Sequence, residues 1–213
     1  MKRIAYLTIA SLIISCGSPQ QSTKKEQPEP SPAPKEKCTY SYNHSSTGIY
    51  WTAYKHTAKA PVQGQFDSLE VTGANPSENA TDVLDGLQFK IFTSSINSKD
   101  AARDKKIIES YFGAMESTDV ISGSVKSAVD GKATLLLKIN NIEKEQTAEY
   151  KIEGEVLTLT AVVDIVNWEG QGAVESLNKV CYERHTSTDG TSKLWPDVKI
   201  LVETTLNKEC ETL

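Results

Sequence analysis

Four cysteines and three histidines are the side chains best suited to chemistry in this chain, and their spacing narrows what that chemistry can be. His44, His56 and His185 are scattered without metal-ligand spacing, and neither a Gly-rich phosphate loop nor a G-x-S-x-G elbow occurs. Aspartates and glutamates are plentiful, but no pair sits in an apolar stretch that would raise the pKa of one member. The reading is therefore of a non-enzyme, with no catalytic residue, no metal and no cofactor expected. His185, beside Arg184 at the end of a helical stretch, is read as a partner of that helix terminus. The cysteines divide into Cys16, which closes an apolar run at the amino terminus, and Cys38, Cys181 and Cys210 further on.

The leader explains Cys16. Met1-Lys2-Arg3 precedes an apolar run from Ile4 to Ile14 that ends in Ser15-Cys16-Gly17, too short to span a membrane as a helix and shaped like a secretory leader. The ending resembles a bacterial lipobox, which implies cleavage before Cys16 and acylation of the thiol and the new amino terminus. Residues 1–15 are then a lipoprotein signal peptide, and the chain is held at the membrane through acylated Cys16. Ser18 in place of an aspartate retention signal points to the outer membrane of a bacterial envelope. Residues 16–37 hold almost no apolar side chain and carry Pro28, Pro30, Pro32 and Pro34, the composition of an extended, disordered linker. Lysines there alternate with glutamates, so the segment reads as a spacer.

Residues 38–213 suffice for one domain with a sizeable core. The precursor carries a formal net charge of −5, made more negative when Lys2 and Arg3 leave with the leader, and it has no basic stripe to displace counterions from a phosphate backbone; nucleic acid is excluded as a partner. Period-two alternation dominates. Ile49, Trp51 and Ala53 alternate with polar and tyrosine neighbours in a strand ending near Lys55. A second strand runs from Val62 to about Gly73, bent at Gly64, and Leu87, Phe89 and Ile91 mark a third. Others fall at Val120–Ser127, Ala133–Asn140, Thr147–Glu153, Val156–Ile165 and Val198–Leu206, with Asp130-Gly131 and Glu153-Gly154 as turns. Two helices interrupt them. Asp100 to about Met115 puts Ile107, Ile108, Tyr111 and Phe112 on one face, and Gly172 to Arg184 spaces Val174, Leu177, Val180 and Cys181.

About eight antiparallel strands with about two helices predict a mainly β domain, an eight-stranded lipocalin-like barrel, because closure removes exposed edges. In such a barrel the start of the first strand lies beside the end of the last. That favours a Cys38–Cys210 disulfide, worth about 4–5 kcal/mol by the chain-entropy model, with Cys181–Cys210 as the alternative pairing.

Two blocks carry a family resemblance. Ile49-Tyr50-Trp51-Thr52-Ala53-Tyr54-Lys55 followed by Val62-Gln63-Gly64-Gln65-Phe66 resembles the opening of the YceI-like family of exported polyisoprenoid-binding proteins. Leu87-Gln88-Phe89-Lys90-Ile91, Ser95-Ile96-Asn97-Ser98 and Arg103-Asp104 resemble its second block, with Ser98 where the family usually has Thr. Trp195-Pro196-Asp197-Val198 matches a lipoprotein subgroup. The resemblance implies a lumen that takes a long isoprenoid lipid, of quinone or polyprenyl phosphate type, with the polar head near one mouth. The candidate ligand-binding residues are then Ile49, Trp51, Ala53, Leu87, Phe89, Ile91, Phe112, Leu159, Ala161 and Val163 along the tail, and Lys55 at the head. Arg103-Asp104 is read as a clamp orienting the helix over the mouth. The alternative is a barrel with a filled lumen, acting as an interaction module in the envelope or on the surface. Pairing of chains through Tyr50 and Tyr54 is left open.

Overall fold

The computed structural model describes residues 36–212, so the predicted signal peptide, Cys16 and nearly all of the predicted linker lie outside the described residues. Twelve strands form: β1 (Glu36–Ser41), β2 (Gly48–Lys55), β3 (Ala60–Phe66), β4 (Leu69–Thr72), β5 (Gln88–Phe92), β6 (Ile96–Asn97), β7 (Val120–Val129), β8 (Lys132–Ile139), β9 (Ile142–Glu153), β10 (Val156–Asp164), β11 (Asp197–Thr205) and β12 (Asn207–Thr212). Three α-helices accompany them, α1 (Ala101–Lys106), α2 (Gln171–Val180) and α3 (Tyr182–His185). The expected antiparallel architecture is present, but the sheet holds ten strands rather than eight, in the order β4-β5-β7-β8-β9-β10-β11-β2-β3-β6, with β1 and β12 as a separate two-stranded ribbon.

The higher count has a local cause. The stretch read as one strand from Val62 to Gly73 turns a corner at Asp67-Ser68, and the chain from Gln88 to Asn97 turns the matching corner through a 3-10 turn at Thr93–Ser95. Across the corner the backbone stays paired, with the Asp67 amide donating to the Ser95 carbonyl at 3.0 Å and the Phe92 amide to the Ser68 carbonyl at 3.2 Å. Ser95 Oγ accepts from the Ser68 amide at 3.0 Å. Because β3 runs into β4 and β5 into β6, the two ends of the sheet order are consecutive in the chain, and the sheet curls. The corner is not at Gly64, which lies inside β3 opposite Trp51. A Cβ there would collide with the Trp51 indole, so the missing side chain is the seat of that ring.

Hairpin turns follow their sequence chemistry. Asp130-Gly131 joins β7 to β8 and Asn140-Asn141 joins β8 to β9, all four residues having positive φ. Alternation then sorts the side chains. Ala133, Leu135, Leu137 and Ile139 of β8 and Leu157, Leu159 and Ala161 of β10 are buried on one face. Burial of such side chains is worth about 1.5–3 kcal/mol each and fixes the register. Trp168 is enclosed with 1% exposure and donates its indole N–H to the Leu137 carbonyl at 3.3 Å.

The first expected helix is α1 continued by a π turn at Ile107–Tyr111 and a 3-10 turn at Phe112–Ala114; the second is α2 and α3, interrupted at Cys181. Asp100 caps α1 by accepting from the Ala102 and Arg103 amides.

Cys38 and Cys210 face each other in the ribbon and are bridged, with Cα atoms 4.0 Å apart, while Cys181 is free and buried. The topological argument for this pair holds because β2 lies beside β11 and the chain segments beyond them continue as the ribbon. Loss of a bridge spanning 172 residues should cost about 2–5 kcal/mol in the Cys38→Ser/Cys210→Ser double variant, measured as a drop in urea-unfolding free energy. Unchanged stability would show that the ribbon holds without its bridge.

Candidate functional site

The inward faces of the curled sheet do not meet. Between them lies a cavity of about 250 Å³ whose walls are almost wholly aliphatic and aromatic. Every apolar candidate of the sequence, Ile49, Trp51, Ala53, Leu87, Phe89, Ile91, Phe112, Leu159, Ala161 and Val163, lines it. Sheet register explains the convergence: Trp51 opposes Ile200 and Ile49 opposes Val202 on β11, while Phe89 opposes Gly123 on β7. Gly123 has no Cβ where the Phe89 ring packs, so the ring lies against the sheet instead of projecting across the lumen.

Several wall residues fall outside that sequence-based set. Leu135, Leu137 and Ile139 of β8 and Val198, Ile200 and Val202 of β11 line the cavity through the same alternation. Val83 and Leu84 come from a 3-10 turn with no periodic signal, and Tyr42 comes from the connection between β1 and β2. The Tyr42 hydroxyl is buried without a hydrogen-bond partner, and burial raises its pKa. Tyr111, carried inward by the π turn, is driven above the ordinary tyrosine range by burial and by the nearby Asp164 carboxylate. A π turn shifts the phase of the helix face by one residue, which sends Ile107, Tyr111 and Phe112 to the lumen together.

Against one end of the lumen, between the β2–β3 hairpin and the helices, lies the mouth, a second, more polar space of about 420 Å³. Trp51, Ala53, Ile107, Leu177 and Leu194 border both spaces. A lumen of this size alone falls just below the range of small-molecule cavities, about 300–1,000 Å³, and lumen plus mouth fall inside it. Lys55 is at the mouth, not in the apolar lumen, and its Nζ donates to the Arg184 carbonyl at 3.0 Å. His56 approaches the same carbonyl at 3.1 Å, and Lys106 Nζ donates to the Val180 carbonyl at 3.3 Å. These groups satisfy the carbonyls left unpaired at the ends of α2 and α3.

The clamp read from Arg103-Asp104 divides into two parts. Asp104 Oδ1 accepts from the Ser98 amide at 2.9 Å and from the Ser98 hydroxyl, tying α1 to the end of β6. Arg103 instead lines the mouth, with Asp100 Oδ2 at 3.4 Å. His185 is buried beside the mouth and bonds through Nδ1 to Asn178 Oδ1 at 2.8 Å, so its partner is a side chain of α2 and not a helix-terminal carbonyl. Among the described residues the one grouping of three metal-capable side chains is Glu36, Cys38 and Cys210, and both sulfurs there are spent on the disulfide.

Burial, assisted by the positive fields of Lys55, His56 and Lys106, pushes the His185 pKa down from 6.5 to about 4. The unfolded chain gains this proton near pH 6.5 and the folded protein only near pH 4, so stability must fall as pH drops through that window. The contribution is at most about 1.4 kcal/mol per pH unit. His185→Gln should flatten the decline of urea-unfolding free energy between pH 7 and pH 4.5, and parallel profiles for the two proteins would contradict the assignment.

Comparison with known proteins gives one family and a set of solved structures of similar fold. The family described as YceI-like domain matches residues 39–206. The UPF0312 protein SA2479 of Staphylococcus aureus strain N315 is 27% identical over 146 residues, covering 63% of this chain and 80% of the relative. A polyisoprenoid binding domain from Saccharophagus degradans superposes with a TM-score of 0.54 at 12% identity, covering 78% of this chain and 98% of that one. The YCEI protein of Campylobacter jejuni gives a TM-score of 0.46 at 18% identity, covering 75% and 90%.

Proposed function

The chain belongs to the YceI-like family, and from that premise we propose that it is an exported, lipid-anchored binding protein that holds an isoprenoid lipid, of quinone or polyprenyl phosphate type, in the lumen of its curled sheet. The observation that carries the reading is the cavity with an almost wholly apolar wall and a polar mouth at one end. An unbranched polar ligand would lose its hydration there without compensation, whereas each buried methylene-sized group gains about 0.8 kcal/mol. The polyisoprenoid binding domain from Saccharophagus degradans, alike in fold, supports the same ligand class. Binding, sequestration and release are the mechanism; no arrangement at the site calls for bond making or breaking.

The alternative of a filled barrel acting as an interaction module is less well supported, because the inward side chains leave space and two glycines of the sheet, Gly64 and Gly123, accommodate the Trp51 and Phe89 rings against it. Export is supported by the leader sequence and by the Cys38–Cys210 bridge, which suits an oxidising compartment. Anchoring through acylated Cys16, with an outer-membrane location in a bacterial envelope, completes the proposal. The extended linker would then let the domain work some tens of ångströms above the bilayer.

Phe89→Arg, which places a charge on the lumen wall, should abolish binding of a fluorescent isoprenoid probe while leaving a cooperative unfolding transition. Full binding by the variant would remove the lumen from the site. Separately, Cys16→Ser expressed in a bacterial host should move the protein from the membrane pellet to the soluble fraction, and firm membrane association of the variant would contradict the anchor.

A further inference from the structure

The lumen has a second end, opposite the mouth, and its lining changes there. Among the described residues no lysine, arginine, histidine, aspartate or glutamate lines the lumen; its hydroxyl groups come from Tyr42, Thr47, Tyr111 and Thr204. Three of these close the far end, since Tyr42 and Thr47 precede β2 and Thr204 lies near the end of β11. The length of β2, about 25 Å of extended chain, separates Thr47 from Lys55 at the mouth. Thr47 and Thr204 are satisfied within the chain: their hydroxyl oxygens lie 2.8 Å apart and donate to the Asn43 carbonyl at 2.8 and 3.2 Å. Tyr42 is not. Its hydroxyl is buried with no hydrogen-bond partner, and no other buried side-chain polar atom among the described residues is left so. An unpaired buried donor is destabilising, and its presence in an otherwise apolar wall points to an acceptor that arrives from outside the chain.

We propose that Tyr42 donates a hydrogen bond to a neutral oxygen acceptor, a carbonyl or hydroxyl, on the end of the ligand that penetrates deepest into the lumen. The inference rests on the lumen-binding reading above and adds a polar requirement at the end remote from the mouth. Charge is selected against there, because the wall offers no cation to a phosphate or carboxylate and the lost hydration would go uncompensated. A purely hydrocarbon end fits the aliphatic wall but leaves the phenol unpaired. Two ligand designs supply the acceptor. One is a lipid whose neutral oxygen head enters first; the other is an isoprenoid oxygenated at its tail end, with a polar head left at the mouth.

Matched ligands and the loss of one oxygen atom test this subsite apart from the lumen. Phytone is a saturated isoprenoid methyl ketone, and pristane is the hydrocarbon with a methyl-bearing carbon in place of the carbonyl. Their affinities are read by displacement of a fluorescent apolar probe from the full chain. Tyr42→Phe should weaken phytone binding about 2- to 12-fold, the contribution of one neutral hydrogen bond, and leave pristane bound as tightly or more so. Geranylgeranyl diphosphate with and without a hydroxyl at its tail end forms the second pair. Loss confined to phytone assigns the acceptor to a head that enters first, and loss confined to the tail-hydroxylated diphosphate assigns it to the tail end. Equal responses of both members in both pairs, as when a trapped water alone meets the hydroxyl, overturn the Tyr42 subsite and leave the lumen reading standing. Binding of none of the four overturns both. Without ligand, Tyr42→Phe should not lower the urea-unfolding free energy; a drop would show that the hydroxyl is paired within the protein and would overturn the subsite by a second route.

Discussion

A curled sheet that sends every second side chain toward one enclosed space must either fill that space from its own residues or leave it apolar and partly empty. This chain does the second. Alternation on β2, β5, β8, β10 and β11 delivers a continuous aliphatic and aromatic wall, and the wall stops short of closing on itself. The corner at Asp67-Ser68 and Thr93–Ser95 sets the curl, because backbone pairing persists across it while the strand direction changes. Without that corner the same apolar faces would lie on an open sheet, exposed to water and to other chains.

The helices depend on the sheet for their position, and the mouth depends on the helices. Asp104 fixes α1 to Ser98, Asp100 caps it, and the π turn that follows turns Tyr111 and Phe112 inward. On the opposite side, Lys55 from β2 and Lys106 from α1 reach across to the carbonyls that end α3 and α2. One set of basic side chains thus serves the architecture and also furnishes the charge at the entrance. The arrangement joins a local need, the capping of helix carbonyls, to the gathering of positive charge at the mouth.

Much of the wall is legible in the sequence because it is written in period two. Ile49, Trp51 and Ala53, or Leu157, Leu159 and Ala161, declare a face by alternation alone, and burial then selects that face as inner. Corners leave a fainter mark, here a change of phase: the apolar residues fall on even positions, Val62 and Phe66, before Asp67-Ser68 and on odd positions, Leu69 and Val71, after it, which is where one strand becomes two. The ribbon is hidden for a different reason: every residue of β12 is exposed, so its pairing rests on backbone hydrogen bonds and the disulfide and leaves no apolar pattern. Gly64 illustrates an ambiguity of meaning, because a glycine in a strand signals a bend and a close packing partner equally well. The mouth is legible only in part: the family resemblance points to Lys55 and Arg103, whereas Lys106 of α1 and Arg184 of α3 join them only in the fold.

The lumen as a lipid site is the central claim, and the most direct measurement is mass spectrometry of an organic extract of the natively purified protein beside an unrelated protein prepared in parallel. The expected result is an isoprenoid lipid in near-equal molar amount to the chain, absent from the control. An extract that is empty, and stays empty after incubation with a quinone and a polyprenyl phosphate, would contradict it.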